Sequence, residues 1–518
     1  MPATEYDAVA YPSHALSQTH PDRLAAIGTL LGMSPAPVER CRVLELGCGD
    51  GNNLIPMAMN YPESEFLGID LAETPVAHGN RFAAELGLEN LTLKAEDLLR
   101  FPASAGQFDY IIAHGLYSWV PQFVRDKVMA VCRDHLSPNG IAYISYNTMP
   151  GGHIRGIFRD IMRFHTRQID DPAGKIEQAT SIVKFLAAGC VNQNDVYLAL
   201  VQDEMKRSLL EKNEAVLFHD DLADVNQAYY FHEFIDHATK FQLKYLAEAD
   251  FFELADHQYP PPVRAALEEM GARDPLLREQ YLDFLKFRRF RQTLLVRENV
   301  GVERHAIPDR LRTLAISAQV TTVTKEPSLA RGSAISFRGP TGSAVTIDQP
   351  LAKAALLHLG EKYPLPVPFV ELLTAATNRP GLPVVSMEDE TNLLDILSES
   401  YLVGLIELHA GPPKFVRHAG PLPETSRLAR LQLQHGIDLV TNYRHSHIRV
   451  EPGLSRALIE HLDGTRDRAQ LLNDLVEWAM NHPPEGEAPP DRVTWRARFE
   501  DQIEPGLEGV AAMALLLR

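Results

Sequence analysis

Residues 42–51 read RVLELGCGDG, a short apolar run that ends in glycines at positions 47, 49 and 51. Glycine tolerates backbone angles that a side chain forbids, and its missing Cβ lets a ligand lie directly on the main chain. An apolar helix pattern follows at Leu54, Ile55, Met57 and Ala58, so the unit is strand, tight turn, helix. The helix N-terminus then points at whatever occupies the turn. The rhythm repeats. Residues 66–70 read as a second strand ending in Asp70, 75–86 as a helix with Gly87 as its C-cap, and 91–94 as a third strand followed by Glu96-Asp97. Residues 108–113 read as a fourth strand, 122–136 as a helix stopped by the turn residues 137–140, and 141–146 as a fifth strand. Strands alternating with helices imply a parallel sheet covered on both faces.

Acidic residues close three of these strands, and they decide which nucleotide the turn suits. Glu45 precedes the first glycine, Asp70 stands 19 residues beyond Gly51, and Asp97 follows the third strand. A carboxylate at 70 can accept from two ribose hydroxyls, one at 97 from an adenine amino group, and one at 45 from a cationic amino-acid end. Dinucleotide sites use GxGxxG to seat a pyrophosphate, whereas this chain has GxGxG with acids around it. S-adenosylmethionine carries no phosphate but has sulfonium and ammonium charges, so it is the expected cofactor. The alternative is a related fold that binds nothing. The candidate cofactor residues are Glu45, Gly47, Cys48, Gly49, Gly51, Asn53, Asp70, Leu71, Asp97, Leu98 and His114.

Beyond residue 152 the βα rhythm breaks. Residues 153–240 read as almost wholly helical, and strand-like runs at 243–246 and 292–296 flank a helical stretch at 261–289. Class I methyltransferases close their sheet with two such strands, the last antiparallel. The expected fold is therefore an α/β, Rossmann-like seven-stranded sheet, with its core at 1–152 and 241–300 and a helical insertion at 153–240. Residues 301–415 form a middle winged-helix-like unit, 416–425 a linker, and 426–518 a C-terminal winged-helix-like unit containing a Pro-rich loop at 483–490.

The net charge of −18 argues against a nucleic-acid binder. Cys41, Cys48, Cys132 and Cys190 match no zinc spacing. No secretory signal and no membrane-length apolar run is visible, so a cytoplasmic protein is expected.

In this fold the loop after the fourth strand faces the transferable methyl. Here it reads HGLYSWVP over 114–121, without the loop motif of adenine or glutamine amino-group methylation and without a Pro-Cys pair. Tyr117 and Trp119 offer an aromatic wall suited to a cation or a lysine stem, the alternative being that Trp119 packs in the core. Tyr146, Asn147 and Thr148, at the end of the fifth strand, form a second polar cluster facing the same cleft. His153, Arg155, Arg159, Arg163, His165 and Arg167 read as the solvated face of a helix, or as a contact for an acidic partner. His219, Asp220, Asp221, His232, Glu233, Asp236 and His237 have metal-binding side chains, but their helical spacing favours structural hydrogen bonding, and no metal is expected.

With these residues in hand, HGLYSWVP (114–121), YNTMPGGHIR (146–155), residues 219–251 and residues 6–24 resemble the bacterial methyltransferases that carry a methyltransferase regulatory domain. That family includes protein lysine methyltransferases acting on bacterial outer-membrane proteins. The resemblance spans nearly the whole chain, is specific across 1–300 and is looser beyond. It implies that Tyr11, Gln18, Thr19 and His20 fold over the cofactor as a lid, and that His114, Tyr117 and Trp119 line the transfer site. It further implies a homodimer through the helical region and C-terminal units that hold a protein substrate. The chain departs from the frequent YNTYPGWHMR pattern at Met149 and Gly152, which removes an aromatic pair near the cleft. Three functions follow: N-methylation of protein lysines, methylation of a small metabolite or natural product, and cofactor sensing without catalysis.

Overall fold

In the computed structural model, which describes residues 5–9, 11–189, 196–207, 214–303, 305–324, 327–340, 342–482 and 490–518, five strands run parallel. They are β1 (Arg42–Leu46), β2 (Glu65–Asp70), β3 (Leu91–Ala95), β4 (Phe108–Ala113) and β5 (Leu136–Asn147). Two antiparallel pairings close the sheet: β7 (Phe290–Arg297) against β5, and β6 (Leu243–Glu248) against β7. The spatial order is β3-β2-β1-β4-β5-β7-β6. The order reverses between β1 and β4, and a crevice opens beyond the strand ends at such a switch point. The helix stops at His135, Leu136 pairs with Phe108, residues 137–140 bulge out of the ladder where a turn was expected, and pairing with β4 resumes at Ile141.

Side-chain alternation shows why these strands read as unbroken apolar runs. Tyr143, Leu294 and Val296 face one core, whereas Ala142, Ile144 and Leu295 face another. From Gly140 to Asn147 every position of β5 is buried, so that stretch has no solvent-facing side.

The helical stretch after β5 divides in two. The helices Gly152–Thr166, Pro172–Gly189 and Val196–Met205 pack with the turn Leu217–Asp221 around their own core of Phe158, Met162, Val183, Val201 and Phe218. The helix Phe231–Lys240 does something different. Phe231, Phe234, Ile235 and Ala238 enter the sheet core, and this helix covers β6. A buried ionic cluster holds the sheet edge: Arg291 on β7 meets Glu248 at 2.5 Å and Asp283 at 2.8 Å, and its guanidinium lies 4.0 Å from the centre of the Phe231 ring.

Beyond the sheet, a three-stranded unit (Ala315–Ser317, Val367–Pro368, Glu407–His409) and its helices share the apolar core of the sheet face that the helix Pro21–Leu30 covers. The C-terminal winged helix has a separate core, including Leu433, Val440, Ile459 and Leu475. Arg427 docks it onto the sheet's flanking helix Glu73–Leu86 by donating to the carbonyls of Glu85 (2.9 Å) and Leu86 (3.1 Å), a favourable place for a cation at a helix C-terminus. Among the described residues, no helix is long and apolar enough to cross a membrane. Cys190 and residues 483–489 of the Pro-rich loop lie outside the described residues.

Candidate functional site

The turn after β1 has positive φ at Gly47, Gly49 and Gly51, which a side chain adopts only with strain. The three serve different ends. A Cβ on Gly51 would stand 2.7 Å from Leu93, so close packing excludes it, whereas a Cβ on Gly49 would meet nothing within 4 Å. The space over Gly49 is open to the crevice. Asp70 clamps this turn: its carboxylate accepts from the Gly49 N–H at 2.9 Å and the Ala72 N–H at 2.9 Å. Burial raises its pKa, and those backbone bonds oppose the rise. Asp97 accepts from the Leu99 N–H at 2.9 Å at the start of the turn Leu98–Arg100.

Glu45 is the most perturbed of the acids. It is only 4% exposed, Oε1 accepts from the Asn53 amide at 2.8 Å, and Oε2 is buried with no partner. Burial pushes its pKa up to about 8, with Asp70 and Asp50 adding to the rise and the Asn53 bond opposing it. A buried carboxylate with one unused oxygen at a cleft is a place for a cation.

These groups line a continuous cleft of about 1440 Å³. One arm holds Glu45, Gly47, Cys48, Gly49, Asn53, Asp70, Leu71, Asp97 and Leu98. The other passes His114, Trp119, Asn147, Met149 and Phe290 towards Arg155, Arg159 and Asp220 on the inserted helices. Tyr11 lies over the mouth with Tyr6, Asp7 and His14, and its hydroxyl donates to Asp220 at 3.4 Å.

His114 is half-buried, and burial lowers its pKa to about 4, so the ring is neutral at pH 7. A hydrogen-bond chain sets its tautomer. Gln292 donates to Asp250 at 3.0 Å and accepts from the Tyr143 hydroxyl at 2.8 Å, so the Tyr143 oxygen receives the His114 Nδ1–H at 2.9 Å. His114 Nε2 is therefore the unprotonated nitrogen. The Trp119 indole N–H is buried without a partner, and the Asn147 amide donates to Asn226 at 2.8 Å.

Several sequence-proposed residues stand elsewhere. Gly51 lies beneath the turn rather than in the cleft lining. Tyr117 and Tyr146 turn into the sheet core, not the cleft: Tyr117 bonds His237 Nδ1 at 2.7 Å, and Tyr146 stacks on Phe234 at 4.0 Å. His20 accepts from the Asp22 N–H at 3.2 Å and so caps the helix Pro21–Leu30, and Gln18 bonds Tyr143. Neither lines the cleft. The basic face is exposed at His153, His165 and Arg167 but not at two other positions. Arg155 pairs with Asp221 at 2.9 Å and Asp220 at 3.3 Å, and Arg159 donates to the carbonyls of residues 220, 221 and 223. Their partners lie more than sixty residues along the chain, out of reach of helical periodicity. His219, His232 and His237 are each engaged by a separate partner: the Val9 carbonyl, Gln280, and Tyr117 with Asp126.

Three family models match the chain: a methyltransferase domain over residues 43–140, a predicted methyltransferase regulatory domain over 213–297, and the PKMT C-terminal winged helix domain over 422–515. Over 98% of its length the chain is 30% identical to the uncharacterized protein RP789 of Rickettsia prowazekii (strain Madrid E), covering 91% of that protein. A second protein of that organism, RP028, is 39% identical across 46% of this chain and 96% of its own length. The solved structure of PKMT2 from Rickettsia typhi in complex with AdoHcy superposes with a TM-score of 0.86 at 28% identity, covering 98% of this chain and 100% of that one. The chain belongs to the bacterial class I S-adenosylmethionine-dependent methyltransferases that carry a methyltransferase regulatory domain.

The methyltransferase site fits its cofactor on its own terms, since Glu45 Oε2 lacks a partner and Gly49 leaves the turn open. Sequence reasoning missed Asn226 and Phe290, and read Asp220 as structural only, although all three reach the cleft from the insertion and β7. The signal for them was weak. Asn226 lies in an irregular segment without periodicity, and Phe290 opens a strand whose other residues are core.

Proposed function

We propose that this S-adenosylmethionine-dependent methyltransferase N-methylates lysine side chains of a protein substrate. The carrying observation is that the cleft holding the cofactor groups is also lined by Trp119, Met149 and Phe290, side chains suited to wall a lysine stem. The likeness to PKMT2 and to the PKMT winged helix domain supports the same acceptor. Glu45 takes the ammonium end of the cofactor, Asp70 the ribose hydroxyls, and Asp97 with Leu98 the adenine. Leu71 and Cys48 flank the nucleoside, and Tyr11 covers it.

Methyl transfer is an in-line displacement: a nitrogen lone pair forms the new N–C bond as the S–C bond breaks and the sulfonium becomes a thioether. The enzyme's work is alignment and exclusion of water. The amine must arrive neutral, and a channel walled by Trp119, Met149 and Phe290 disfavours its charged form. The unprotonated Nε2 of His114 accepts a hydrogen bond from the amine N–H and so turns its lone pair towards the methyl. Buried, unpaired thiols at Cys41, Cys48 and Cys132 suit a reducing compartment and support a cytoplasmic location. Exposed Phe164 and Phe185 on the inserted helices support self-association there, which light scattering of the purified protein tests.

Incubation with methyl-labelled cofactor and a cell lysate tests the acceptor. The expected result is label in protein, recovered as methyl-lysine after acid hydrolysis. Label confined to small molecules overturns the lysine reading and leaves the cofactor reading standing.

A further inference from the structure

Asn53 is 3% exposed, and every hydrogen-bonding position of its amide is used. Its Oδ1 accepts from the Leu16 N–H at 2.9 Å and from His445 Nε2 at 2.8 Å. Its Nδ2 donates to Thr19 Oγ1 at 3.0 Å and to Glu45 Oε1 at 2.8 Å. An amide rotated by half a turn has nearly the same shape, so the partners alone decide which end faces Glu45. The Leu16 N–H can only donate. His445 Nε2, this close to an amide oxygen, must carry its proton, and the remaining ring nitrogen, Nδ1, is buried without a partner.

His445 does not belong to the cofactor domain. It lies in the turn of the hairpin formed by Leu439–Thr441 and His447–Arg449 in the winged helix, at a φ of +56°. That turn is built to hold it. Asn442 Oδ1 accepts from the backbone N–H groups of Arg444 and Ser446, both at 3.0 Å, and Arg444 is tied to Glu407 and Tyr363 of the middle unit. The same hairpin also holds the N-terminal segment, because His447 Nε2 accepts from the Ala15 N–H at 3.1 Å. The His445 ring packs edge-on against His20, with centroids 4.9 Å apart.

We propose that His445 is a positioning residue for the cofactor. By donating to Asn53 it keeps the Asn53 N–H on Glu45 Oε1, which leaves Oε2 aimed at the amino-acid end of S-adenosylmethionine. The seating of the C-terminal winged helix thereby sets cofactor affinity. The inference rests on the reading of Glu45 as the group that takes that amino-acid end.

The test compares binding of two ligands to the full chain by calorimetry. One is S-adenosylmethionine, and the other is methylthioadenosine, which keeps the nucleoside and lacks the amino acid. His445→Phe keeps the ring and removes the donor. It should weaken S-adenosylmethionine about tenfold, the scale of one hydrogen bond to a buried group, and leave methylthioadenosine within about twofold. His445→Gln, which restores an N–H at similar reach, should recover most of the loss. Added to Glu45→Gln, His445→Phe should cost little more, because the two act on one contact. Equal weakening of both ligands, or of neither, overturns the proposal. Should the Phe variant fail to fold, His445→Ala is read by the same two-ligand criterion. If Glu45→Gln itself does not discriminate the ligands, the Glu45 reading falls and the His445 proposal falls with it. If Glu45→Gln discriminates and His445→Phe does not, only the His445 proposal falls.

Discussion

The two arms of the cleft rest on different kinds of support. In the cofactor arm, Glu45, Asp70 and Asp97 sit in or just after adjacent parallel strands, and the last two are held by backbone groups within a few residues or one strand away. In the acceptor arm, Trp119 follows β4, Asn147 ends β5 and is held by Asn226, and Phe290 begins β7. Arg155 comes from an inserted helix whose ion-pair partners lie in the segment ahead of the next sheet-covering helix. The first arm follows from the switch point of the sheet. The second combines strand-end residues with an insertion that has its own core, and only the insertion can change without disturbing the strands. Cofactor chemistry is thus the fixed part of the architecture, and acceptor choice the adjustable part.

Asp70→Ala attacks the fixed part, and the largest effect is expected there. The variant loses the clamp on Gly49 and Ala72 together with the proposed ribose contacts. Hydrogen bonds to a charged group contribute about 1.5–3 kcal/mol each, so cofactor affinity should fall by about a hundredfold or more. Calorimetry checks this, and near-normal affinity removes Asp70 from the ribose. Trp119→Ala attacks the adjustable part. Misplacing an acceptor by about 1 Å costs on the order of 100-fold in turnover, so kcat should drop about 10- to 100-fold with cofactor affinity unchanged within about twofold. Were cofactor affinity to fall in step with kcat, the two arms would not be separable.

This division also explains what was legible in the sequence. The turn 47–51, the strand-end acids and the seven strands were readable because each is a local pattern: glycines that need positive φ, acids that follow short strands, and apolar runs that are buried on both faces in the central strands. The aromatic loop 114–121 was visible, but not which way its rings turn. Tyr117 and Trp119 are two residues apart in one short turn, yet one faces the core and the other the cleft. Periodicity has no purchase on a three-residue turn. Arg155 and Arg159 looked solvated because their partners at 220–223 are invisible to a helical window, and His445 contacts Asn53 across 392 positions. Partners joined only by the tertiary fold leave no spacing to read.

A smaller effect sharpens the cofactor arm. Glu45 titrates near 8 in the ligand-free protein, well above its usual 4.5, because it is buried. A carboxyl raised on folding stabilises fully below the unfolded value, and its contribution is lost as pH rises from 4.5 through about 8. At pH 7 Glu45 is therefore mostly protonated before the cofactor arrives. An ammonium placed against Oε2 favours the carboxylate, so binding should release close to one proton. Calorimetry in buffers of differing ionisation enthalpy counts that proton. Glu45→Gln should abolish the release, and release that persists in the variant places the titrating group elsewhere.

Tyr117→Phe carries the smallest expected effect and divides the aromatic loop. The Tyr117 hydroxyl bonds His237 Nδ1 at 2.7 Å and His237 Nε2 bonds Asp126 at 2.9 Å, and none of the three lines the cleft. Removing the hydroxyl leaves one partly buried ring nitrogen without its partner, at a cost of about 1 kcal/mol in unfolding free energy. Turnover should stay within about threefold of the parent, because nothing in the cleft touches the lost oxygen. A tenfold loss of turnover at unchanged stability would put Tyr117 at the transfer site after all. Measured beside Trp119→Ala, the same assay then decides which side of a single turn does the chemistry: a ring that packs the sheet should cost stability and spare kcat, and a ring that walls the channel should do the reverse.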